Sequence, residues 1–129
     1  MTGDALADAH EILALLQAKI DSRDADELFA FFEEPAVLIG SAGDGRDTER
    51  RRRYLTALAT QPESLFWDWQ EAIPFYESDD ALGFAAFGEV AVSDAAGEQR
   101  YPIRASLLGV RSADGWRLRH FHGSIPASF

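Results

Sequence analysis

The sequence predicts an α+β fold, with helices first and an antiparallel meander after them. Two observations carry this. Up to Ala59 the apolar side chains recur every three or four positions, whereas beyond Pro62 they fall into four segments separated by turn-forming residues. Helices grouped ahead of the strands, rather than alternating with them, pack together on one face of a sheet.

Leu6, Ala9, Leu13, Leu16 and Ile20, widened by Ile12, form the apolar stripe of a first helix. Asp21-Ser22-Arg23 interrupts it. Asp24 stands where an N-cap is needed, and Glu27, three residues on, completes a capping box. The short second helix carries Leu28, Phe29, Phe31 and Phe32 and ends ahead of Pro35, whose ring pushes the preceding residue out of helical space. Ala36-Val37-Leu38-Ile39 is too short and too β-branched for a helix and reads as a buried strand. Ser41-Ala42-Gly43-Asp44-Gly45 reads as a loop. A third helix spans Asp47 to Ala59 with Tyr54, Leu55 and Leu58 inward. The strands are residues 65–76, 81–93, 99–111 and 116–123, joined by Glu77-Ser78-Asp79-Asp80, Asp94-Ala95-Ala96-Gly97 and Ser112-Ala113-Asp114-Gly115. No linker or repeat divides the chain, so residues 1–129 are expected to form one domain.

Lys and Arg number 12 against 22 Asp and Glu, a net charge of −10. Such a field excludes nucleic acid or an anionic membrane as partner. The exception is Arg50-Arg51-Arg52-Arg53 with Arg46 upstream. It reads as a solvated helix face beside Asp47 and Glu49 in preference to a polyanion site. The absence of cysteine excludes disulfides, thiol catalysis and thiolate metal sites. Asp4, Asp8, His10 and Glu11 break the N-terminal apolar run, so no signal peptide is expected there. No segment is long enough to span a bilayer, and a soluble, cytoplasmic protein is expected.

The order of elements and the last strand together resemble the SnoaL-like branch of the nuclear transport factor 2-like superfamily, and similarly the association domain of calcium/calmodulin-dependent protein kinase II. The resemblance is carried by Glu33-Glu34-Pro35-Ala36-Val37-Leu38-Ile39-Gly40, by Arg104-Ala105-Ser106, and by Gly-Trp-x-x-x-His-Phe-His-x-Ser over residues 115–124. It implies a cone-shaped, cystatin-like α+β roll. In such a roll a curved, mostly antiparallel sheet wraps around three N-terminal helices, with a pocket at the wide end. It also implies a tendency to form homodimers. The activities it implies range from isomerases, cyclases and dehydratases to binding and assembly modules, so fold does not decide function. The kinase association domain has arginines at the positions of Leu107 and Gly123, which puts carry-over of its ligand chemistry in doubt.

Strict alternation along the last strand puts Trp116, Leu118, His120 and His122 on one face and Arg117, Arg119 and Phe121 on the other. The Trp/Leu face is expected to be interior. His120 and His122 then either line a pocket as hydrogen-bond donors or general acid/base, or pack as neutral imidazoles bonded to a carbonyl or hydroxyl. A metal is not expected, because a zinc site needs a third ligand and only His10 remains among the histidines; no cofactor is expected either. A three-residue hairpin loop pairs Ser112 with Trp116, Leu108 with His120 and Ser106 with His122, adding Arg104 and Ser106 to the inner face. A four-residue loop puts Arg104 outside. An inward Arg104 needs Glu89, Glu71 or an anionic ligand beside it. Trp67 and Trp69 share a face, as core, interface or stacking platform, and Tyr54 is either core or pocket mouth.

Two functions follow. One is a small-molecule-binding protein, of isomerase, cyclase or dehydratase type if catalytic. It would take a carbonyl or carboxylate ligand against Arg104, His120, His122, Trp69 and Tyr54. The other is a non-catalytic homodimeric association module with a vestigial pocket, whose apolar outer face comprises Tyr101, Ile103, Ala105 and Leu107. A large pocket containing His120, His122 and Arg104 favours the first. A cone filled by Trp67, Trp69 and Phe side chains favours the second.

Overall fold

The structure is a computed structural model that describes residues 3–41 and 43–127. Two helices, α1 (Gly3–Asp21) and α2 (Ala25–Ala30), are followed by two strands, β1 (Phe32–Ile39) and β2 (Asp44–Gly45), and then by a third helix, α3 (Thr48–Thr60). The meander follows as β3 (Ser64–Glu77), β4 (Ala81–Asp94), β5 (Gly97–Ser112) and β6 (Gly115–Ser124). All six strands make one sheet in the order β2-β1-β6-β5-β4-β3. Every pairing is antiparallel except β1 with β6. This is the α+β roll expected, a curved sheet wrapped on the N-terminal helices. None of the described helices is long and apolar enough to cross a membrane.

The buried stripe of α1 is Ala5, Ala9, Ile12, Leu13, Leu16 and Ile20, and Leu6, expected inside, is 44% exposed. Ile12 reaches the sheet at Gly109, where a Cβ would come within 2.5 Å of its Cδ1. Half of the expected capping box forms at α2. Asp24 Oδ1 accepts from the backbone N–H groups of Asp26 and Glu27 at 3.0 and 3.2 Å. Glu27 instead accepts from Lys19 Nζ at 3.0 Å, and Ser22 Oγ takes the Asp24 N–H.

Three expectations are corrected here. α2 stops at Ala30, so Phe31 and Phe32 follow the helix, and β1 begins at Phe32 and runs through Pro35. β1 is half-buried, with Ala36 and Leu38 under the helices and Val37 exposed, because helices cover only one face of the sheet. The expected loop supplies β2, whose Gly45 and Asp44 pair with Leu38 and Ile39; Ala42 lies outside the described residues.

The arginine run is not wholly solvated. Four-residue spacing along α3 puts Arg51, Leu55 and Ala59 on its buried side, and Arg51 is 1% exposed. Its Nη1 donates to the Ala36 carbonyl at 2.9 Å and its Nη2 to the Glu34 carboxylate. The guanidinium carbon sits 5.2 Å from the Phe29 ring centroid. The Arg52 guanidinium carbon lies 3.9 Å from the same centroid, and its Nη1 is 2.7 Å from Asp26. Arg50 pairs with Asp47, the N-cap of α3, at 3.5 Å.

Candidate functional site on the outer sheet face

The β5–β6 hairpin decides which face each candidate residue occupies. Its loop is shorter than expected: Ser112 pairs with Gly115, Arg111 with Trp116 and Val110 with Arg117. Gly109 then pairs with Leu118 but Leu108 with His120, so Arg119 is an extra residue, a β-bulge. Beyond it Ser106 pairs with His122 and Arg104 with Ser124. The expected pairs of His120 and His122 are found, through a shorter loop and one inserted residue.

That insertion reverses the faces. Trp116 and Leu118 are buried ahead of the bulge, and Phe121 and Gly123 after it. His122 and Arg104 are exposed and His120 is half-buried, all on the outer face. The inward orientation expected of His120, His122, Arg104 and Ser106 is overturned, for the histidines by the bulge and for Arg104 and Ser106 by the shorter loop, which sets Arg111 rather than Ser112 opposite Trp116. Arg119 lies 3.5 Å from Glu33 of β1, beside the stretch where the β1–β6 register also shifts.

Arg104, Ser106 and His122, but not His120, line an open depression of about 350 Å³ together with Ala85, Phe87, Ala105 and Ser124. Among the described residues no carboxylate lies within 4.0 Å of Arg104. The other four arginines of the meander all have one. Arg100 pairs with Glu89 and Glu98, Arg111 with Asp8, Arg117 with Asp114 and Arg119 with Glu33. Glu89, a partner considered for Arg104, is thus engaged elsewhere.

Desolvation holds His120 below the ordinary imidazole value of 6.5, and the neighbouring His122 adds to this, while a backbone hydrogen bond at Val37 opposes it. The unfolded chain consequently binds more protons than the folded one just below that value. The contribution of His120 to stability is complete above about pH 6.5 and is lost as pH falls through the lowered native value. Urea midpoints at about pH 7.5 and 5.5 should differ less in His120→Gln than in the wild type; equal differences would dismiss the effect.

The cone interior is filled. Trp67 and Trp69 stack at 6.2 Å between centroids, and Phe121 lies 6.0 Å from Trp67. A cavity of about 80 Å³ remains, lined by side chains including Leu16, Leu38, Tyr54, Leu58 and Trp67. Its lining has no ionisable side chain except the Tyr54 phenol, whose pKa burial raises. Gly40 makes room for that phenol, since a Cβ there would collide with the Tyr54 hydroxyl. Of the expected ligand contacts, only Tyr54 borders this cavity. Among the described residues no group of three His, Asp or Glu side chains could hold a metal ion.

The apolar outer face is also relocated. Ala105 and Leu107 are buried on the inner side of β5, a parity they share with Tyr101 and Ile103; the outer side carries Pro102, Arg104, Ser106 and Leu108. The exposed apolar residues there include Val37, Phe66, Ile73, Phe75, Tyr76 and Phe87, 39–61% exposed. Phe87 and Ser124 were absent from the expected site. The Asp94–Gly97 turn could have revealed Phe87, because its two-residue loop sets the whole β4–β5 register and so pairs Phe87 with Arg104.

The SnoaL-like domain family matches residues 10–128, nearly the full chain. The chain belongs to the SnoaL-like family. No curated protein matches it. Among solved structures, this SnoaL-like domain is similar to a candidate dehydratase of the NTF2-like family from Streptomyces avermitilis. That likeness has a TM-score of 0.82 at 11% identity and covers 98% of this chain and 100% of the other. It is also similar to a candidate calcium/calmodulin-dependent protein kinase II association domain from Xanthomonas campestris, with a TM-score of 0.79, 12% identity and coverage of 94% and 87%. A ketosteroid isomerase-like protein from Erwinia carotovora atroseptica gives 0.70 at 14% identity, covering 98% and 100%. At such identities the likeness is one of fold.

Proposed function

We propose that this SnoaL-like domain is a non-catalytic association module that forms a homodimer through its outer sheet face. The observation that carries this reading is the reversal of faces at Arg119. It turns Phe121 into the cone beside Trp67 and Trp69, and turns His120 and His122 out onto an open sheet, where the two-residue β5–β6 loop also places Arg104. General acid/base catalysis draws its strength from a water-excluded site, which an open depression lacks. In this reading His120, His122 and Arg104 are interface residues and Trp69 is core. Ile73, Phe75 and Phe87, neighbours by register on β3 and β4 and all exposed, form an apolar patch of the kind that marks an interaction surface. The fold likeness to a candidate association domain agrees with this reading.

Sedimentation equilibrium at about tens of micromolar should give twice the 14.2 kDa chain mass. Phe87→Asp should give a folded monomer, since a carboxylate would be desolvated at the centre of the contact. A wild-type monomer at that concentration removes the reading.

The unfilled space beside Tyr54 favours a second reading, in which a small apolar molecule occupies the cone. Xenon under pressure should then shift the Trp67 and Tyr54 resonances. No shift at either residue would dismiss it.

A further inference from the structure

The strand register arranges the outer face in rows across the sheet. One row reads Glu71 on β3, Phe87 on β4, Arg104 on β5 and Ser124 on β6. Adjacent strands lie about 4.8 Å apart, so Phe87 stands midway between a carboxylate and a guanidinium. Among the described residues neither Glu71 nor Arg104 has an oppositely charged group within 4.0 Å. Both are exposed, and Phe87 between them is 41% exposed.

We infer that Glu71 of one copy pairs with Arg104 of a second, about a two-fold axis running along β4 that brings the two Phe87 rings together. This rests on the self-association reading above and adds the axis and the contact to it. Two copies stacked outer face to outer face have their two-fold axis in the plane between them. An axis along β4 exchanges β3 of one copy with β5 of the other, so Glu71 meets Arg104 twice, reciprocally. An axis across the strands sets Arg104 against Arg104 and Glu71 against Glu71, and like charges facing each other at an interface select against that arrangement.

The neighbouring rows agree with the first axis. Gly83 and Ala85 keep β4 low, and Phe75 lies over Gly83, whose β5 partner is Leu108. Exchange of β3 with β5 then sets Tyr76, the β3 partner of Gly83, with the bulged Phe75 beside it, against the Leu108 of the other copy, and Ile73, paired with Ala85, against the other Ser106. Phe66 and Arg100 share Ala91 as β4 partner, so the same exchange stacks each phenyl ring against a guanidinium. Glu89 on β4 approaches its own counterpart, but each is already neutralised by Arg100 at 3.3 Å.

Charge reversal tests the pairing. Sedimentation equilibrium is measured on the wild type, on Glu71→Arg, on Arg104→Glu, on the double variant and on an equimolar mixture of the two single variants, with circular dichroism to verify folding. Each single reversal should raise the dimer Kd by about tenfold or more. The double variant should return to within about threefold of the wild type, and the mixture should associate as tightly, because a heterodimer regains both pairs. Single reversals that weaken association without rescue by either route would overturn the pairing while leaving the dimer standing. Single reversals with no effect on the wild-type affinity would overturn it as well. A wild type that is monomeric throughout removes the self-association reading, and the pairing falls with it.

Discussion

Replacing Arg51 with alanine is expected to destabilise the fold by about 2–3 kcal/mol, whereas Arg53→Ala, on the exposed side of the same helix, should change it by no more than about 0.5. Arg51 is 1% exposed and its stem fills the groove between α3 and β1, under which Gly45 has no room for a Cβ. The guanidinium is the hydrogen-bond partner of the Ala36 carbonyl, which would lose that bond in the variant. The figure rests on those two losses. Its ion-pair partner Glu34 is largely exposed, held below the usual carboxylate range first by the Thr48 hydroxyl and then by Arg51, and adds little by itself. Lysine should rescue only in part, since a single ammonium lacks the planar fork that reaches both acceptors. Urea unfolding followed by tryptophan fluorescence checks all three; an Arg51→Ala midpoint equal to that of Arg53→Ala would show the residue to be surface after all.

A larger effect is expected from a deletion ahead of the bulge than from one at the bulge itself. Deleting Arg119 joins Leu118 to His120 and leaves Leu118 and Phe121 inward and the histidines outward, with the pairs Gly109–Leu118 and Leu108–His120 unchanged, so the fold should survive. Arg119→Ala should cost about 1 kcal/mol or less, because it loses only the partly exposed contact with Glu33. Deleting Arg117 should abolish the native state. With Trp116 and Phe121 held inward, alternation then turns Leu118, now 0% exposed, into solvent and turns Arg119 toward the cone. Exposing the leucine costs about 2–3 kcal/mol and burying an unpaired guanidinium costs several more. The sum is comparable to the whole stability of a small domain, about 5–15 kcal/mol. Dispersion of the amide spectrum separates the two deletions. A well-dispersed spectrum for the Arg117 deletion, or a collapsed one for the Arg119 deletion, would show that the bulge at Arg119 is not what fixes the faces.

Arg51 and Arg119 also mark where the sequence is hard to read. The meander was legible nearly to the residue, because Asp94-Ala95-Ala96-Gly97 and Ser112-Ala113-Asp114-Gly115 punctuate strands whose alternation is clear. The capping carboxylate of Asp24 was legible from its position alone. A bulge has no such signature: Arg119 resembles any other strand arginine. Its trace is indirect, in that strict alternation would leave the phenyl ring of Phe121 in water and two histidines inside. Arg51 was obscured by its neighbours. Four consecutive arginines read as one charged surface, although four-residue spacing from Leu55 and Ala59 puts one of them in the buried stripe. The outer face was misplaced by the hairpin loop instead: a three-residue loop in place of the two-residue one shifts β5 by one position against Trp116 and turns every β5 side chain over.

Association through the outer face is most directly tested by a single introduced thiol, because the chain contains no cysteine. Ala85→Cys puts it on the outer side of β4, and Ala57→Cys puts it on the exposed side of α3 as a control. Both variants are treated with a short bis-maleimide, which bridges thiols across the roughly 10 Å between packed sheets that a disulfide cannot span, and are compared on a denaturing gel. The account predicts rapid, near-complete covalent dimer for Ala85→Cys and only slow, concentration-dependent cross-linking for Ala57→Cys. Equal cross-linking of the two, or faster cross-linking through α3, would contradict it.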